Sequence, residues 1–299
     1  MGTTYSIKLV RENVDSIYIH NSIENILEEI NSQMSTYIDN SCISNFNNLE
    51  IGDSLNIKSD FIYVFNKSDY YHSLTNGSFE VTIKPLIDLW GFEKPNYRKN
   101  IPDSSSIKSA IRSIGINNIK LRDGYLYKMN NVSLDFSAIA KGYAVDKIAK
   151  FLKENLIYNF MVEIGGELSL SGYNSENKKW TIGVQNPSLN NISSTLNLFL
   201  TNKAIATSGN YRNFFTHEDK SYSHIISPIT GYPIDNNILS VTVISDQCID
   251  ADALATSLTV MSIKDGLNLI DKIEGSEVFY ITKENENLYS EGFKNFVRQ

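Results

Sequence analysis

The segment at residues 134–142, which reads Leu-Asp-Phe-Ser-Ala-Ile-Ala-Lys-Gly, constrains the fold more than any other part of the chain. Apolar and polar residues alternate over residues 132–136, which predicts a β-strand. Apolar residues at helical spacing follow over residues 145–152, and Ser137 is of a type that caps helix N-termini. The segment is therefore predicted to connect a strand to a helix.

Such a junction places the carboxylate of Asp135, the ammonium of Lys141 and free backbone N–H groups close together. Because the N–H groups at a helix N-terminus attract anions, this is a natural place to bind a phosphate-bearing ligand. An ordinary turn with a surface lysine would have the same sequence. These residues alone do not decide between the two interpretations.

The bulk composition indicates a globular protein. The chain has 299 residues, of which 41% are hydrophobic and 20% are charged, so it is long enough for one large domain or two closely packed ones. The net charge of −7 argues against a nucleic-acid or anionic-membrane surface. No apolar run reaches the roughly 18 residues that a membrane-spanning helix needs. Cys42 and Cys248 form no zinc pattern, and their spacing leaves a disulfide open.

Short strands and amphipathic helices are mixed along the chain. Helices are predicted around residues 23–34, 59–65, 107–114, 251–261 and 267–273. Strands are predicted at residues 3–10, 160–164, 167–171, 180–184, 196–200, 239–244 and 278–282, with Gly165-Gly166 as a tight turn. No linker or internal repeat divides the chain. This pattern predicts the α+β class.

Two side chains on a predicted helix have the chemistry of metal ligands. Asp252 and Thr256 are four residues apart, so both lie on one face of the helix. A carboxylate and a hydroxyl are hard oxygen ligands that suit Mg²⁺ or Ca²⁺. The alternative is a solvated polar face on which Thr256 bonds back to a backbone carbonyl.

His224 is one of four histidines and lies in a predicted loop between apolar and turn residues. A histidine in such a loop can act as a general base. It can equally be a structural histidine whose ring is hydrogen-bonded, and its spacing does not decide. The chain has no glycine-rich dinucleotide or P-loop motif, no zinc-protease motif and no serine-hydrolase motif.

Eight segments in order along nearly the whole chain resemble the ApbE family, the FAD:protein FMN transferases. They are residues 1–3 (Met-Gly-Thr), 34–37 (Met-Ser-Thr-Tyr), 89–92 (Leu-Trp-Gly-Phe), 135–142, 165–166 (Gly-Gly), 207–211 (Thr-Ser-Gly-Asn-Tyr), 223–226 (Ser-His-Ile-Ile) and 250–256. Each segment alone is a weak signal. Eight in the family's order make chance an implausible explanation.

The resemblance implies an α+β fold of the T-fold-like ApbE type, with mixed sheets and packed helices in a single domain over residues 1–299. It implies that FAD binds in a cleft between two closely packed parts of that domain. It also implies that Mg²⁺ is held by the backbone carbonyl of Ala138 together with the side chains of Asp252 and Thr256.

Family positions that touch FAD correspond to Met1, Tyr37, Ser78, Phe79, Glu80, Asp135, Lys141 and Ile226. The chain departs from the family's usual residues at three acidic positions. Glu80 and Glu167 stand where relatives commonly carry Asp, and Glu163 stands where relatives often carry Asn. These departures concern local hydrogen bonding rather than the assignment to the family.

The reaction implied by the resemblance splits the pyrophosphate of FAD. FMN is transferred to a Ser or Thr of an acceptor protein through a phosphoester, and AMP leaves. Asp252 is the expected anionic metal ligand, and His224 is the candidate base for the acceptor hydroxyl. Lys141 is expected to offset phosphate charge.

Two other functions remain open at this stage. A Mg²⁺-dependent FAD pyrophosphatase would use the same residues with water as the acceptor, although Tyr37 is the residue that transferases usually carry at its position. A non-catalytic flavin-binding protein or flavinylated carrier is the other. A carrier should contain a flavinylation sequence of the type Asp-Gly-x-Ser/Thr-Gly-Ala-Thr, and this chain contains none.

The sequence leaves the compartment open. Met1 corresponds to an internal Met-Gly-Thr of the family, whose members are commonly exported or lipid-anchored. An extracytoplasmic protein whose leader is absent here and a naturally leaderless cytoplasmic protein would have the same sequence.

Overall fold

The structure is a computed structural model that describes residues 2–92, 101–185, 194–209, 214–217 and 220–297. The chain forms two compact units. The first comprises Met1–Glu28, Ile139–Gly209 and Asn237–Gln299, and the second comprises Glu29–Ala138 and Asn210–Asn236. Each unit combines helices with sheet, which confirms the predicted α+β class. That the two act as a single domain over residues 1–299 stays a prediction.

The described residues form fourteen strands and eight α-helices. The strands are β1 (Tyr5–Leu9), β2 (Ser54–Asn56), β3 (Ile119–Arg122), β4 (Tyr125–Lys128), β5 (Phe160–Ile164), β6 (Glu167–Ser171), β7 (Trp180–Gln185), β8 (Ser194–Leu200), β9 (Lys203–Gly209), β10 (Phe214–His217), β11 (Lys220–Ser223), β12 (Ile238–Ser245), β13 (Glu277–Thr282) and β14 (Asn287–Tyr289). The helices are α1 (Ser16–Met34), α2 (Cys42–Asn47), α3 (Ser59–Leu74), α4 (Lys84–Trp90), α5 (Ser104–Arg112), α6 (Ala140–Glu154), α7 (Cys248–Val260) and α8 (Ile263–Ile270).

The first unit is built on a seven-stranded sheet with the order β1-β5-β6-β9-β12-β13-β14. Each pair of neighbouring strands is antiparallel. Helices α6 and α7 pack against each other, and both contact β6. Strand β6 therefore lies beside both helices.

A two-residue turn connects β5 to β6 and sets where β6 begins. Gly165 and Gly166 have φ angles of 63° and 104°. A two-residue hairpin turn whose central residues both have positive φ favours glycine at both positions. Ile164 pairs with Glu167 across this turn, and the backbone N–H of Gly166 donates to Oε1 of Glu163 at 2.8 Å.

Helices α6 and α7 approach closely because α6 carries a glycine at the contact. A Cβ placed on Gly142 would lie 2.4 Å from the carbonyl oxygen of Cys248 and 2.8 Å from Cβ of Asp252. The carboxylate of Asp146 accepts hydrogen bonds from the first N–H groups of α7, those of Cys248 at 2.9 Å and Ile249 at 2.8 Å. A side chain of α6 therefore satisfies backbone donors that α7 itself leaves unpaired.

The second unit contains a three-stranded sheet of order β2-β4-β3, the β10–β11 hairpin and helices α2 to α5. A local core of Leu86, Trp90, Ile107 and Ile226 joins α4 and α5 to the loop after β11. The indole N–H of Trp90 donates to the carbonyl of Gly231 at 2.8 Å and fixes that loop to α4.

The strand predicted over residues 132–136 is wrong. Val132, Leu134 and Phe136 are buried as the alternation requires, but the segment belongs to no strand or sheet. The side-chain amide of Asn47 accepts from the N–H of Leu134 at 2.7 Å and donates to its carbonyl at 2.9 Å. The side chain of Asn47 therefore makes the two hydrogen bonds to Leu134 that a neighbouring strand would make.

The predicted cap at Ser137 is wrong as well. Helix α6 begins at Ala140 and its N-cap is Ile139, which makes no side-chain cap bond. The N–H of Ser137 instead donates to Oδ1 of Asp135 at 2.6 Å. The carboxylate of Asp135 thus closes the turn that leads into the helix.

Cys42 and Cys248, for which the sequence leaves a disulfide open, are both free thiols. Within the described part of the chain, no helix is long and apolar enough to cross a membrane.

Candidate functional site

Three charged side chains of the first unit converge where α6, α7 and β6 meet. Nζ of Lys141 lies 3.5 Å from Oε1 of Glu167 and 3.8 Å from Oδ1 of Asp252. The backbone N–H of Gly142 donates to Oδ2 of Asp252 at 2.9 Å. The two carboxylate side chains are almost fully buried, whereas Lys141 is 27% exposed. We refer to Lys141, Glu167 and Asp252 as the charged cluster.

The charged cluster contains one ammonium and two carboxylates, and their pKa values reflect this imbalance. Burial and the charge of Asp252 raise the pKa of Glu167 to about 8, although Lys141 opposes the rise. Burial also raises the pKa of Asp252, against the lowering effects of Lys141 and of the bond from Gly142. Burial alone would lower the pKa of Lys141, but Asp252 and Glu167 outweigh it and raise the pKa to about 12. The single ammonium therefore does not balance the charge of two ionised carboxylates.

Asp252 is not on the solvated face that its spacing allowed. Helix α7 is buried on most of its surface, and Asp252 is 4% exposed. Thr256 lies one turn later on the same face and is half-buried. A carboxylate with a hydroxyl one turn away remains a suitable pair of oxygen ligands for Mg²⁺.

Asp135 and Ala138 belong to the second unit, in the segment that leads into α6. The N–H of Asp135 donates to the carbonyl of Val81 at 2.7 Å, and its carboxylate is buried. Ala138 is half-buried and is the last residue of the second unit before Ile139 begins the next stretch of the first. The roles of Asp135 in FAD binding and of the Ala138 carbonyl in metal binding stay predictions.

The predicted FAD-contact segment Ser78, Phe79 and Glu80 is buried in the second unit. The carboxylate of Glu80 accepts from the N–H of Thr82 at 2.8 Å and from its hydroxyl at 2.7 Å. Its other oxygen accepts from the N–H of Ile116 at 3.3 Å and lies 3.1 Å from Nδ1 of His72. Protein donors therefore occupy both oxygens of Glu80, which makes this carboxylate an internal clamp.

The ion pair between Glu80 and His72 is expected to make the stability of the protein depend on pH. The hydrogen bond to Glu80 raises the pKa of His72 above its usual 6.5. Burial would raise the pKa of Glu80, but bonds from His72 and Thr82 outweigh it and hold the pKa below its usual 4.5. The contribution of His72 is therefore present below pH 6.5 and lost as pH rises through its folded-state pKa. The contribution of Glu80 is present above pH 4.5 and lost as pH falls through its folded-state pKa.

We therefore expect His72→Gln to lower the melting temperature more at pH 5.5 than at pH 9. Each kcal/mol lost should lower it by about 2–4 °C. Thermal melts of both proteins at the two pH values check this. His20→Gln, a change at an exposed position on α1, is the matched control and should behave alike at both. A pH-independent loss in His72→Gln would contradict an ion pair with Glu80.

His224 lies directly after β11 and is half-buried. Its neighbours are firmly held, because the N–H of Ile225 donates to Oγ of Ser223 at 3.1 Å and Ile226 pairs with Pro233. Ile226 itself is buried in the core with Trp90. The backbone on both sides of the imidazole is therefore fixed, as a positioned base requires.

The remaining predicted residues differ in what the structure describes. Tyr37 is 76% exposed in the turn after α1, and its N–H donates to Oγ of Ser35 at 3.3 Å. Met1 and the Asn210-Tyr211 end of one family segment lie outside the described residues. Their predicted roles stay predictions.

Three residues that shape the charged cluster have no role predicted from the sequence. Glu167 is predicted only as a departure from the family's usual residue, and the signal that could have found it is an acidic residue that opens a strand directly after a Gly-Gly turn. Gly142 sets the distance between α6 and α7, and Asp146 caps α7. The signals in the sequence were Gly142 and Asp146, a glycine and an acidic residue next to the apolar face of the predicted helix.

The chain is similar to known proteins along almost its whole length. The sequence model of the ApbE family matches residues 1–280. The FAD:protein FMN transferase of Vibrio cholerae is 37% identical over 301 residues, which cover 99% of this chain and 88% of that protein. The enzyme of the same name from Haemophilus influenzae is 34% identical, covering 91% and 82% respectively.

Solved structures show the same fold. The flavin transferase ApbE from Vibrio cholerae superposes with a TM-score of 0.90 at 36% identity, over 99% of this chain and 96% of that chain. The ApbE protein from Thermotoga maritima gives a TM-score of 0.90 at 27% identity, over 100% and 97%.

Proposed function

Because the chain belongs to the ApbE family, we propose that it is an FAD:protein FMN transferase. It splits the pyrophosphate of FAD, joins FMN to a serine or threonine hydroxyl of an acceptor protein and releases AMP. The observation that carries this proposal is the similarity over almost the whole chain to relatives of that name.

The residues of the charged cluster fit a hydrated divalent cation. Oε2 of Glu167 is buried and has no hydrogen-bond partner among the described residues, and Lys141 is shared by two carboxylates. The described residues contain no group of three or more His, Cys, Asp or Glu side chains placed for a metal. One carboxylate with neutral oxygens suits Mg²⁺, which keeps several of its waters.

We assign the side chains of Asp252 and Thr256 and the carbonyl of Ala138 as the residues that would hold Mg²⁺. When bound, the cation would neutralise charge on the pyrophosphate and stabilise the leaving AMP. Asp252 contributes the anionic ligand, oriented by the N–H of Gly142. Lys141 contributes a fixed positive charge for the phosphates.

His224 takes the proton of the acceptor hydroxyl, which is a poor nucleophile at neutral pH. We expect His224→Ala to reduce FMN transfer by about 10²–10⁴-fold, because a base acts on the rate of the chemical step. FAD affinity should be unchanged, since a base contributes little to ground-state binding. Initial rates of peptide flavinylation and equilibrium titration with FAD check the two expectations.

His20→Ala is the matched control, because His20 is exposed on α1. It should leave both rate and affinity unchanged. If His224→Ala loses FAD affinity in proportion to its rate, His224 is a binding residue and the role of base fails.

One incubation tests the proposed function. The protein is mixed with FAD, Mg²⁺ and a peptide containing Asp-Gly-x-Thr-Gly-Ala-Thr, and the products are analysed by mass spectrometry. A peptide that gains FMN, together with free AMP, supports transfer. Free FMN and AMP with an unchanged peptide would show a pyrophosphatase, and unchanged FAD would show a non-catalytic flavin-binding protein. A peptide with alanine at the acceptor position and a reaction with EDTA are the controls.

A further inference from the structure

Glu167 is a buried carboxylate that the proposed reaction does not yet use. It is 5% exposed at the start of β6, where the Gly165-Gly166 turn fixes its backbone. Oε1 lies 3.5 Å from Nζ of Lys141, and Oε2 has no hydrogen-bond partner among the described residues. A buried polar atom left without a partner destabilises a protein, and a charged one does so more strongly.

Glu167 changes the net charge of the charged cluster. With Glu167 absent, Lys141 would pair with Asp252 alone, and that pair would be neutral. A neutral pair attracts a cation weakly, because the ammonium cancels the charge of its partner. When Glu167 is ionised, at a pH above its pKa of about 8 or with a cation beside it, one ammonium is shared by two carboxylates and the cluster has a net negative charge beside Asp252.

We propose that Glu167 is a positioning residue of the magnesium site. It shares Lys141 with Asp252, so that the ammonium offsets less of the charge that Asp252 offers to a cation, and a hydrated cation beside the cluster would give the unpartnered Oε2 a hydrogen-bond partner. This inference rests on the proposed function, because it takes Asp252 as a ligand of Mg²⁺. It adds a residue that acts on metal affinity without being one of the assigned ligands.

Binding of Mn²⁺ to the FAD-free protein, measured from the loss of the free-ion EPR signal, tests the inference without any turnover. Glu167→Gln keeps the size of the side chain and removes its charge. We expect its Mn²⁺ dissociation constant to rise about 10- to 100-fold, the range found when residues that support metal ligands are changed. Glu163→Gln, in the same hairpin, is the matched control and should keep the wild-type constant.

Mn²⁺ binding by variants of Lys141 tests whether Glu167 acts through its charge. Lys141→Gln leaves both carboxylates without a competing ammonium, so we expect it to bind Mn²⁺ more tightly than the wild type does. The double variant K141Q/E167Q regains the net charge of the wild type and should bind more tightly than Glu167→Gln. If Glu167→Gln does not fold, as judged by circular dichroism, comparison of the double variant with Lys141→Gln provides the same test.

The outcomes separate this inference from the proposed function. If the wild type binds Mn²⁺, Asp252→Ala does not and Glu167→Gln binds as the wild type does, the role of Glu167 is overturned while the metal site stands. If the double variant binds no better than Glu167→Gln, charge sharing through Lys141 is overturned. If the wild type binds no Mn²⁺, the assignment of the metal site fails first, and the inference fails with it.

Discussion

Asp252→Ala is expected to lower the rate of AMP release from FAD by about 10³-fold or more, since a metal that stabilises the leaving group contributes several kcal/mol to the transition state. Asp252 is the one anionic side chain among the three assigned ligands, and its carboxylate is held by the N–H of Gly142. Rates measured over a range of Mg²⁺ concentrations check this. Adding Mg²⁺ should not restore them.

Asp252→Asn separates the charge of this side chain from its contribution to folding, and Asp246→Ala is the control. Asp252→Asn retains an oxygen that can accept from Gly142, so it should fold normally and still be inactive. Asp246→Ala removes a surface carboxylate that pairs with Lys203, and it should retain full activity. Full activity in Asp252→Ala would exclude Asp252 as a metal ligand.

Gly142→Ala is expected to have the largest effect on stability. The new methyl group would lie 2.4 Å from the carbonyl oxygen of Cys248 and 2.8 Å from Cβ of Asp252, so α6 and α7 must move apart. Overpacking of this kind costs about 1–3 kcal/mol and occasionally more, which corresponds to a melting temperature lower by several degrees. The same movement should weaken Mn²⁺ binding, because Gly142 orients Asp252. Thermal melts and Mn²⁺ titration check the two effects.

The clash is with the backbone carbonyl of Cys248, so shortening that side chain should not relieve it. Gly142→Ala made in a Cys248→Ala protein should therefore lose as much stability as it does in the wild type. Recovery in the double variant would show that the Cys248 side chain sets the spacing of the helices. A melt of Gly142→Ala that equals the wild type would contradict the close approach of α6 and α7.

Local signals were enough to predict much of the first unit. Strands β5 and β6 occupy the predicted residues 160–164 and 167–171, because alternating burial on both sides of Gly165-Gly166 leaves one register for the hairpin. Helix α7 includes most of the predicted residues 251–261 but begins at Cys248, where Asp146 of α6 supplies the bonds that start it. A cap contributed by another helix leaves no local signal.

The predicted secondary structure is wrong where a side chain makes the hydrogen bonds of a neighbouring strand. Residues 132–136 alternate as a strand does, but the side-chain amide of Asn47 holds the backbone of Leu134, and no sheet forms there. Alternation reports which side chains are buried, and it does not report where the backbone hydrogen bonds go.

The sequence by itself determined the family and the α+β class, because these depend on residue types and their order along the chain. It also predicts Asp135, Lys141, Asp252 and Thr256 as site residues, and that assignment stays a prediction. Only the tertiary structure decided that Glu167 shares Lys141 with Asp252, that Gly142 brings α6 against α7, and that protein donors occupy both oxygens of Glu80. The energy of charges and hydrogen bonds depends on separation in space, and residues distant in sequence acquire that separation only when the chain folds.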